Sequence, residues 1–134
     1  VNRSIKFREA FRPFAPSVLF DRAGEYFDLP NPESHMPARF MLYVVPVLDK
    51  AREKLPAITH VDGSGRLQCV RREESPRYYE LIRRFGQGGG VPAVLNTSFN
   101  LKGEPIVCSP EDAFRTFSRS GMDALVVENL LVLK

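Results

Sequence analysis

Two serine–proline pairs set the frame for the fold. Ser75-Pro76 and Ser109-Pro110 each put a helix-capping residue ahead of a proline at the first helical position. Behind the first pair, Tyr78, Leu81, Ile82 and Phe85 recur at helical spacing until Gly86. Behind the second, Glu111 and Asp112 occupy the first turn, near the positive end of the helix dipole. Ala113, Phe114 and Phe117 then line one face until Gly121. A shorter helix is expected over Asp21–Phe27. Strand-like runs fill the intervals: Ala15–Phe20, Phe40–Leu48, Ala57–Val61, Arg66–Arg71, Pro92–Leu95, Pro105–Cys108 and Leu125–Leu133. Pro46 marks its run as an edge strand or a bulged one. Leu29–Ala38, with Pro30, Pro32 and Pro37, reads as a loop, and the glycines of Gly86–Gly90 as a tight helix-to-strand return. Helices and strands interleave, which predicts an α/β or α+β domain on a mixed sheet.

The chain has 134 residues, enough for one domain with its own core. Hydrophobic residues make up 43% and charged residues 26%, a globular balance that excludes a disordered chain. With only Cys69 and Cys108 there is no disulfide framework, and a reducing cytoplasm is the expected setting. No apolar run approaches the ~20 residues that span a bilayer, so membrane insertion is not expected. The first residue is Val1 and the last stretch is apolar, so the chain reads as a portion of something larger.

A net charge of +3 is too mild to argue for a nucleic-acid surface. Its distribution says more. Between Val1 and Ala23, five basic residues (Arg3, Lys6, Arg8, Arg12, Arg22) stand against Glu9 and Asp21, an excess equal to that of the whole chain. A local anion site is the expected consequence. Arginine offers a planar fork matched to phosphate oxygens, and lysine a compact point charge. Lys6 and Arg8 alternate with Ile5 and Phe7 as on a half-buried strand.

Two further stretches carry chemistry. His60-Val61-Asp62-Gly63 opens a Gly-rich turn with Arg66 and Gln68 close behind; Asp-Gly alone is explained as a hairpin turn. His60 and Asp62 are two candidate metal ligands, too few to argue for a metal site. Val94-Leu95-Asn96-Thr97-Ser98-Phe99-Asn100 ends an apolar strand in short hydrogen-bonding side chains, followed by Lys102-Gly103-Glu104. Ligands bind at strand ends in open α/β sheets, and amides with hydroxyls suit phosphate. A turn that merely closes the strand accounts for the same residues. No base is evident beside Ser98 to make it a nucleophile.

Taken together, Lys6-Phe7-Arg8-Glu9-Ala10-Phe11-Arg12-Pro13-Phe14-Ala15-Pro16-Ser17, His60–Gln68, Asn96–Asn100 and Gly103-Glu104-Pro105-Ile106-Val107 resemble the carboxy-terminal region of the NodU/TobZ-type O-carbamoyltransferases. The resemblance runs in order over nearly the whole chain. It implies one YrdC-like domain over 1–134: a twisted mixed sheet flanked by helices, incomplete at its amino-terminal end. In that family this lobe takes ATP, with Mg2+, and carbamoyl phosphate and makes carbamoyl adenylate. An upstream actin/Hsp70-like lobe, carrying a histidine-bound iron, passes the carbamoyl group to a substrate hydroxyl. Carried over by motif, Lys6, Arg12, Arg66 and Ser98 hold the phosphate groups, with Arg8, His60, Asp62, Asn96 and Asn100 around the same pocket. Iron is expected only in the upstream lobe. Two other readings stay open: a YrdC-like nucleotide- or RNA-binding module without catalysis, and a hydrogenase-maturation-type carbamoyl-handling domain.

Overall fold

A computed structural model describes residues 1–31, 33 and 35–134, so Pro32 in the expected loop lies outside the described residues, as does Ser34. The chain divides into two compact units. An internal unit takes residues 13–97, and a terminal unit combines residues 1–12 with 98–134.

The internal unit is built on β1 (Ala15–Leu19), every residue of which is buried. The later strands are β2 (Val44–Pro46), β3 (Ser64–Arg66), β4 (Gln68–Val70) and β5 (Ala93–Asn96), with short α1 (Asp49–Arg52) and longer α2 (Pro76–Gln87) between them. β1 is the middle strand of three. It runs parallel to β4, with Ser17 opposite Gln68, and antiparallel to β5, with Ala15 opposite Asn96. β2 and β3 form a separate antiparallel pair. Phe27, Ile58, Leu67 and Val18 pack together as the main core, each no more than 2% exposed. Fully burying side chains of this size contributes ~1.5–3 kcal/mol each.

α2 starts at Pro76 as its sequence predicts, but Ser75 caps it only through its backbone carbonyl, which accepts from Tyr79 N–H at 2.9 Å. The buried face is Tyr79 and Ile82 against Leu19 and Val70, whereas Leu81 and Phe85 stand in solvent. Gly86 does not stop the helix, which runs on to Gln87. A Cβ there would lie 2.7 Å from Pro92 Cβ, so the glycine answers a close approach.

Several other expectations are corrected. Ala57–Val61 is a run of turns rather than a strand, with Ile58 N–H bonded to Leu55 O at 3.2 Å. The run Phe40–Leu48 contains only β2, because Met36–Phe40 is a tight 3-10 turn that Met41 ends with φ +55°. Asp21–Phe27 is likewise a 3-10 turn, over Phe20–Glu25.

In the terminal unit, α3 (Pro110–Ser118) is capped by Ser109 Oγ, which accepts from Asp112 N–H at 3.1 Å. The expected last strand is a hairpin: β6 (Ala124–Val127) and β7 (Leu130–Leu133) pair antiparallel across Glu128-Asn129, with Glu128 at φ +51°. Pro105–Cys108 forms no strand. Ala113, Phe117 and Leu125 make the core, with Phe99, Val107 and Val132 against it. The amino-terminal residues join this unit as one widened helical turn, Asn2–Lys6, replacing the expected strand. Gly121 N–H donates to Ser4 O at 3.2 Å, and a Cβ on Gly121 would sit 2.6 Å from that oxygen. Small mixed and antiparallel sheets flanked by helices make this a mixed α/β chain. Among the described residues no helix is long and apolar enough to cross a membrane.

Candidate functional site

The widened turn explains where Lys6 points. Lys6 N–H bonds to Val1 O at 3.0 Å, Phe7 then adopts φ +48°, and Arg8 N–H returns to Asn2 O at 3.1 Å. This reversal directs the Lys6 side chain inward, where it is 6% exposed. Its ammonium donates to Ser98 O and Asn100 O, both at 2.7 Å, and to Asn100 Oδ1 at 2.9 Å. Ser98 Oγ lies 3.4 Å away. An ammonium has three N–H donors, so all are engaged. Burial pulls the Lys6 pKa below its ordinary value, with the Arg8 charge adding to the shift.

The same loop is tied from its other side. Ser98 Oγ donates to Asn100 Oδ1 at 2.7 Å, and Asn100 Nδ2 donates to Glu104 O at 2.8 Å. Glu104 itself accepts from Leu101 N–H at 3.2 Å and from Arg119 at 2.7 Å. The Ser98 hydroxyl thus contacts an amide and an ammonium, and among the described residues it has no hydrogen bond to a carboxylate or imidazole.

A cavity of about 300 Å³ opens beside this loop. Lys6, Arg8, Arg12 and Lys102 line it, together with Ser98 and Asn100, and its one carboxylate is Glu9. Glu9 is shared at the limit of ion pairing, 3.7 Å from Arg12 and 3.6 Å from Lys102. Its own backbone N–H, then Lys102, hold its pKa below the ordinary range. Arg8 Nε donates to Asn2 Oδ1 at 2.8 Å. Burial, then the neighbouring Arg12 charge, lowers the Arg8 pKa, while Glu9 acts against both. Four cations around one carboxylate favour an anionic ligand with several oxygens. The lining does not fit a resident magnesium ion, which needs carboxylate and water oxygens rather than cations. Among the described residues no three histidine, cysteine or acidic side chains group as a metal site.

The remaining sequence-chosen residues lie in the internal unit. The Asp62-Gly63 turn forms as expected, with Gly63 at φ +81°, although a strand follows it on one side only. Asp62 Oδ1 accepts from Ser64 N–H at 2.9 Å and Ser64 Oγ at 2.6 Å, which lowers its pKa. His60 Nδ1 lies 3.1 Å from the same hydroxyl. Ser64 is therefore the joint that organises both residues. Arg66 is on β3 opposite Val44; its side chain is exposed and makes no hydrogen bond or ion pair among the described residues. Asn96 Nδ2 donates to Gln68 Oε1 at 2.7 Å and Ser17 Oγ at 3.0 Å, while Ser17 donates to Gln68 at 2.7 Å. That triad clamps β5, β1 and β4 across the sheet.

The structure thus brings Lys6, Arg8, Arg12, Ser98 and Asn100 to one cavity, joins His60 to Asp62 at a turn, and gives Asn96 to a cross-strand clamp. Lys102, noted in the sequence only within Lys102-Gly103-Glu104 and given no role there, also lines the cavity. Cys69 and Cys108 are both free thiols, the first buried and the second exposed.

Comparison with known proteins adds to this geometry. Residues 1–134, the whole chain across both units, match the family described as carbamoyltransferase C-terminus. Nodulation protein NolNO of Sinorhizobium fredii is 48% identical over 134 residues, all of this chain and 19% of that protein. Nodulation protein NolO of Bradyrhizobium diazoefficiens is 46% identical over the same span, 24% of its length. Nodulation protein U of Rhizobium tropici is 37% identical over 99 residues, covering 74% of this chain and 16% of that protein. The chain spans about a quarter or less of the length of these relatives and corresponds to their carboxy-terminal portion.

Proposed function

The chain belongs to the carbamoyltransferase C-terminus family, and on that premise we propose that it is the portion of an O-carbamoyltransferase that binds ATP and carbamoyl phosphate and forms carbamoyl adenylate. A preceding lobe of the actin/Hsp70-like kind then passes the carbamoyl group to a substrate hydroxyl. The reading carries a YrdC-like ancestry for the sheet and a cytoplasmic setting, where both substrates and reduced thiols are at hand.

The observation that supports it is the cavity with four cations around a single carboxylate. Water first cleaves carbamoyl phosphate to carbamate and inorganic phosphate; a carbamate oxygen then attacks the α-phosphorus of ATP as the bond to pyrophosphate breaks, and charge develops on the phosphoryl oxygens and on the departing pyrophosphate. Fixed cations stabilise that charge without a protein nucleophile. Arg8, Arg12 and Lys102 are the groups to meet it, with Ser98 as a hydroxyl donor. Lys6 adds charge and holds the loop that carries Ser98 and Asn100. Magnesium arrives on the nucleotide phosphates, since the lining offers it no carboxylate set.

Carbamoyl-phosphate-dependent exchange of pyrophosphate into ATP, measured on the full natural polypeptide, tests this. Arg12→Ala is expected to lower exchange ~30- to 1,000-fold, about 2–4 kcal/mol of transition-state stabilisation. Tight nucleotide binding without carbamoyl-phosphate-dependent exchange in the unaltered protein would replace this reading with that of a non-catalytic nucleotide-binding module.

A further inference from the structure

The two faces of the β6–β7 hairpin differ in what covers them, although Leu130, next to the turn on the packed side, is also 69% exposed. Register places Leu125 opposite Val132 on the side that packs with Phe117 of α3. On the other side, Ala124 stands opposite Leu133 and Val126 opposite Leu131. All four residues of this second face are apolar. Val126, Leu131 and Leu133 are 68%, 62% and 66% exposed. An antiparallel sheet with one wet face ordinarily alternates apolar and polar residues, and these outward positions carry no polar residue at all. A two-stranded sheet covered on one side only is an unfinished layer.

We propose that this outward face is the docking surface for the lobe that precedes this portion in the longer carbamoyltransferase polypeptide, and that it receives an uncharged, apolar face of that lobe. The inference rests on the reading of the chain as the carboxy-terminal portion of such an enzyme. Two observations select this occupant. The chain is only 19% and 24% of the NolNO and NolO relatives, so most of a relative's polypeptide lies outside this span and has a surface to offer. The patch is also small. Four aliphatic side chains expose a few hundred Å², whereas separate proteins that associate stably bury about 800 Å² per partner. A tethered neighbour needs far less, because linkage raises its effective concentration to the millimolar range. A second copy of the chain has no such help, and the lack of charge gives nucleic acid nothing to hold.

The test uses the full natural polypeptide with the photo-crosslinking residue p-benzoylphenylalanine in place of Leu131, and a control with it in place of Phe114 on the exposed side of α3. Irradiation is expected to join position 131, and not 114, to a peptide of the preceding lobe, in a product of monomer mass. Leu131→Glu is expected to lower carbamoyl transfer to a hydroxyl acceptor at least about tenfold while carbamoyl-phosphate-dependent pyrophosphate exchange stays within about twofold. A crosslinked dimer, the absence of any product from position 131, or equal products from both positions overturns the docking proposal. Exchange measured in the unaltered protein reports separately on the proposed function: without it, that reading falls, while a crosslink from 131 to the preceding lobe still establishes the surface.

Discussion

Lys6 and Asn100, 94 residues apart in sequence, meet with the ammonium 2.9 Å from the amide oxygen, and the backbone carbonyl of Asn100 accepts from the same ammonium at 2.7 Å. A buried cation is thereby held, among the described residues, by carbonyl, amide and hydroxyl oxygens rather than by a carboxylate. Its solvation shell is replaced by carbonyl and amide oxygens of one loop, so the charge remains in the unit and adds to the field of the cavity.

Replacing Lys6 with methionine keeps the length of the side chain and removes every donor. Ser98 O, Asn100 O and Asn100 Oδ1 then lose the ammonium as a partner. Lys6→Met is expected to destabilise the chain by about 2–4 kcal/mol in urea unfolding. Unchanged stability would show that the ammonium is not the tie that holds this loop.

Arg66 offers the opposite case. Its side chain makes no polar contact among the described residues, so Arg66→Ala should change stability by no more than about 0.5 kcal/mol. The family resemblance assigns it to phosphate, and exchange of pyrophosphate in the full polypeptide should fall ~30- to 1,000-fold. A folded variant with normal exchange removes Arg66 from the machinery.

Cys69 makes stability depend on alkaline pH. Burial pushes its thiol from 9.0 up to about 11. Below pH 9 both the folded and unfolded thiol are protonated and the contribution is fully present. As pH rises from 9 through 11 the unfolded state ionises first, binds fewer protons, and is favoured. The loss is on the order of 2–3 kcal/mol. Comparing the pH dependence of unfolding for the natural chain and Cys69→Ala isolates this contribution. Parallel curves through that window would refute it.

Gly121→Ala introduces a Cβ 2.6 Å from Ser4 O, at a point fixed by the Gly121 N–H bond to that same oxygen. The backbones must separate, at an expected cost of about 2–4 kcal/mol. Hydrogen exchange should quicken in residues 1–12 and 98–134 and leave residues 13–97 near their original rates. Uniform loss of protection across both units would contradict the division of the chain.

What could be read from sequence was local chemistry. Pro76 and Pro110 start helices because a fixed φ and a missing N–H suit that position wherever it occurs. The face each helix buries is a tertiary matter: Tyr79 is covered because Leu19 and Val70 lie beneath it, while Leu81, equally apolar, points away. The final hairpin was read as one strand because apolar residues continue on both sides of Glu128-Asn129, and glutamate seldom takes the positive φ that turns the chain there. The charge cluster around Arg8 and Arg12 was visible in the sequence. The burial of Lys6 was not, since its acceptors, Ser98 and Asn100, lie more than ninety positions later. For His60 and Asp62 the turn was legible, while the part played by Ser64 needed the geometry.

The terminal unit is assembled from the two extremes of the sequence, and this has a consequence for vectorial synthesis. Residues 13–97 are contiguous and can fold as soon as they leave the ribosome. Val1–Arg12 leaves the ribosome ahead of that unit yet must wait for its partners: Lys6 for Ser98 and Asn100, Ser4 for Gly121. Until then Phe7 and Phe11 trail from the nascent chain with nothing made to receive Lys6, and at roughly 5–20 residues per second that interval lasts several seconds. Within this span the segment made before the internal unit is thus fixed after it, so translation speed and chaperone occupancy over this stretch become determinants of yield.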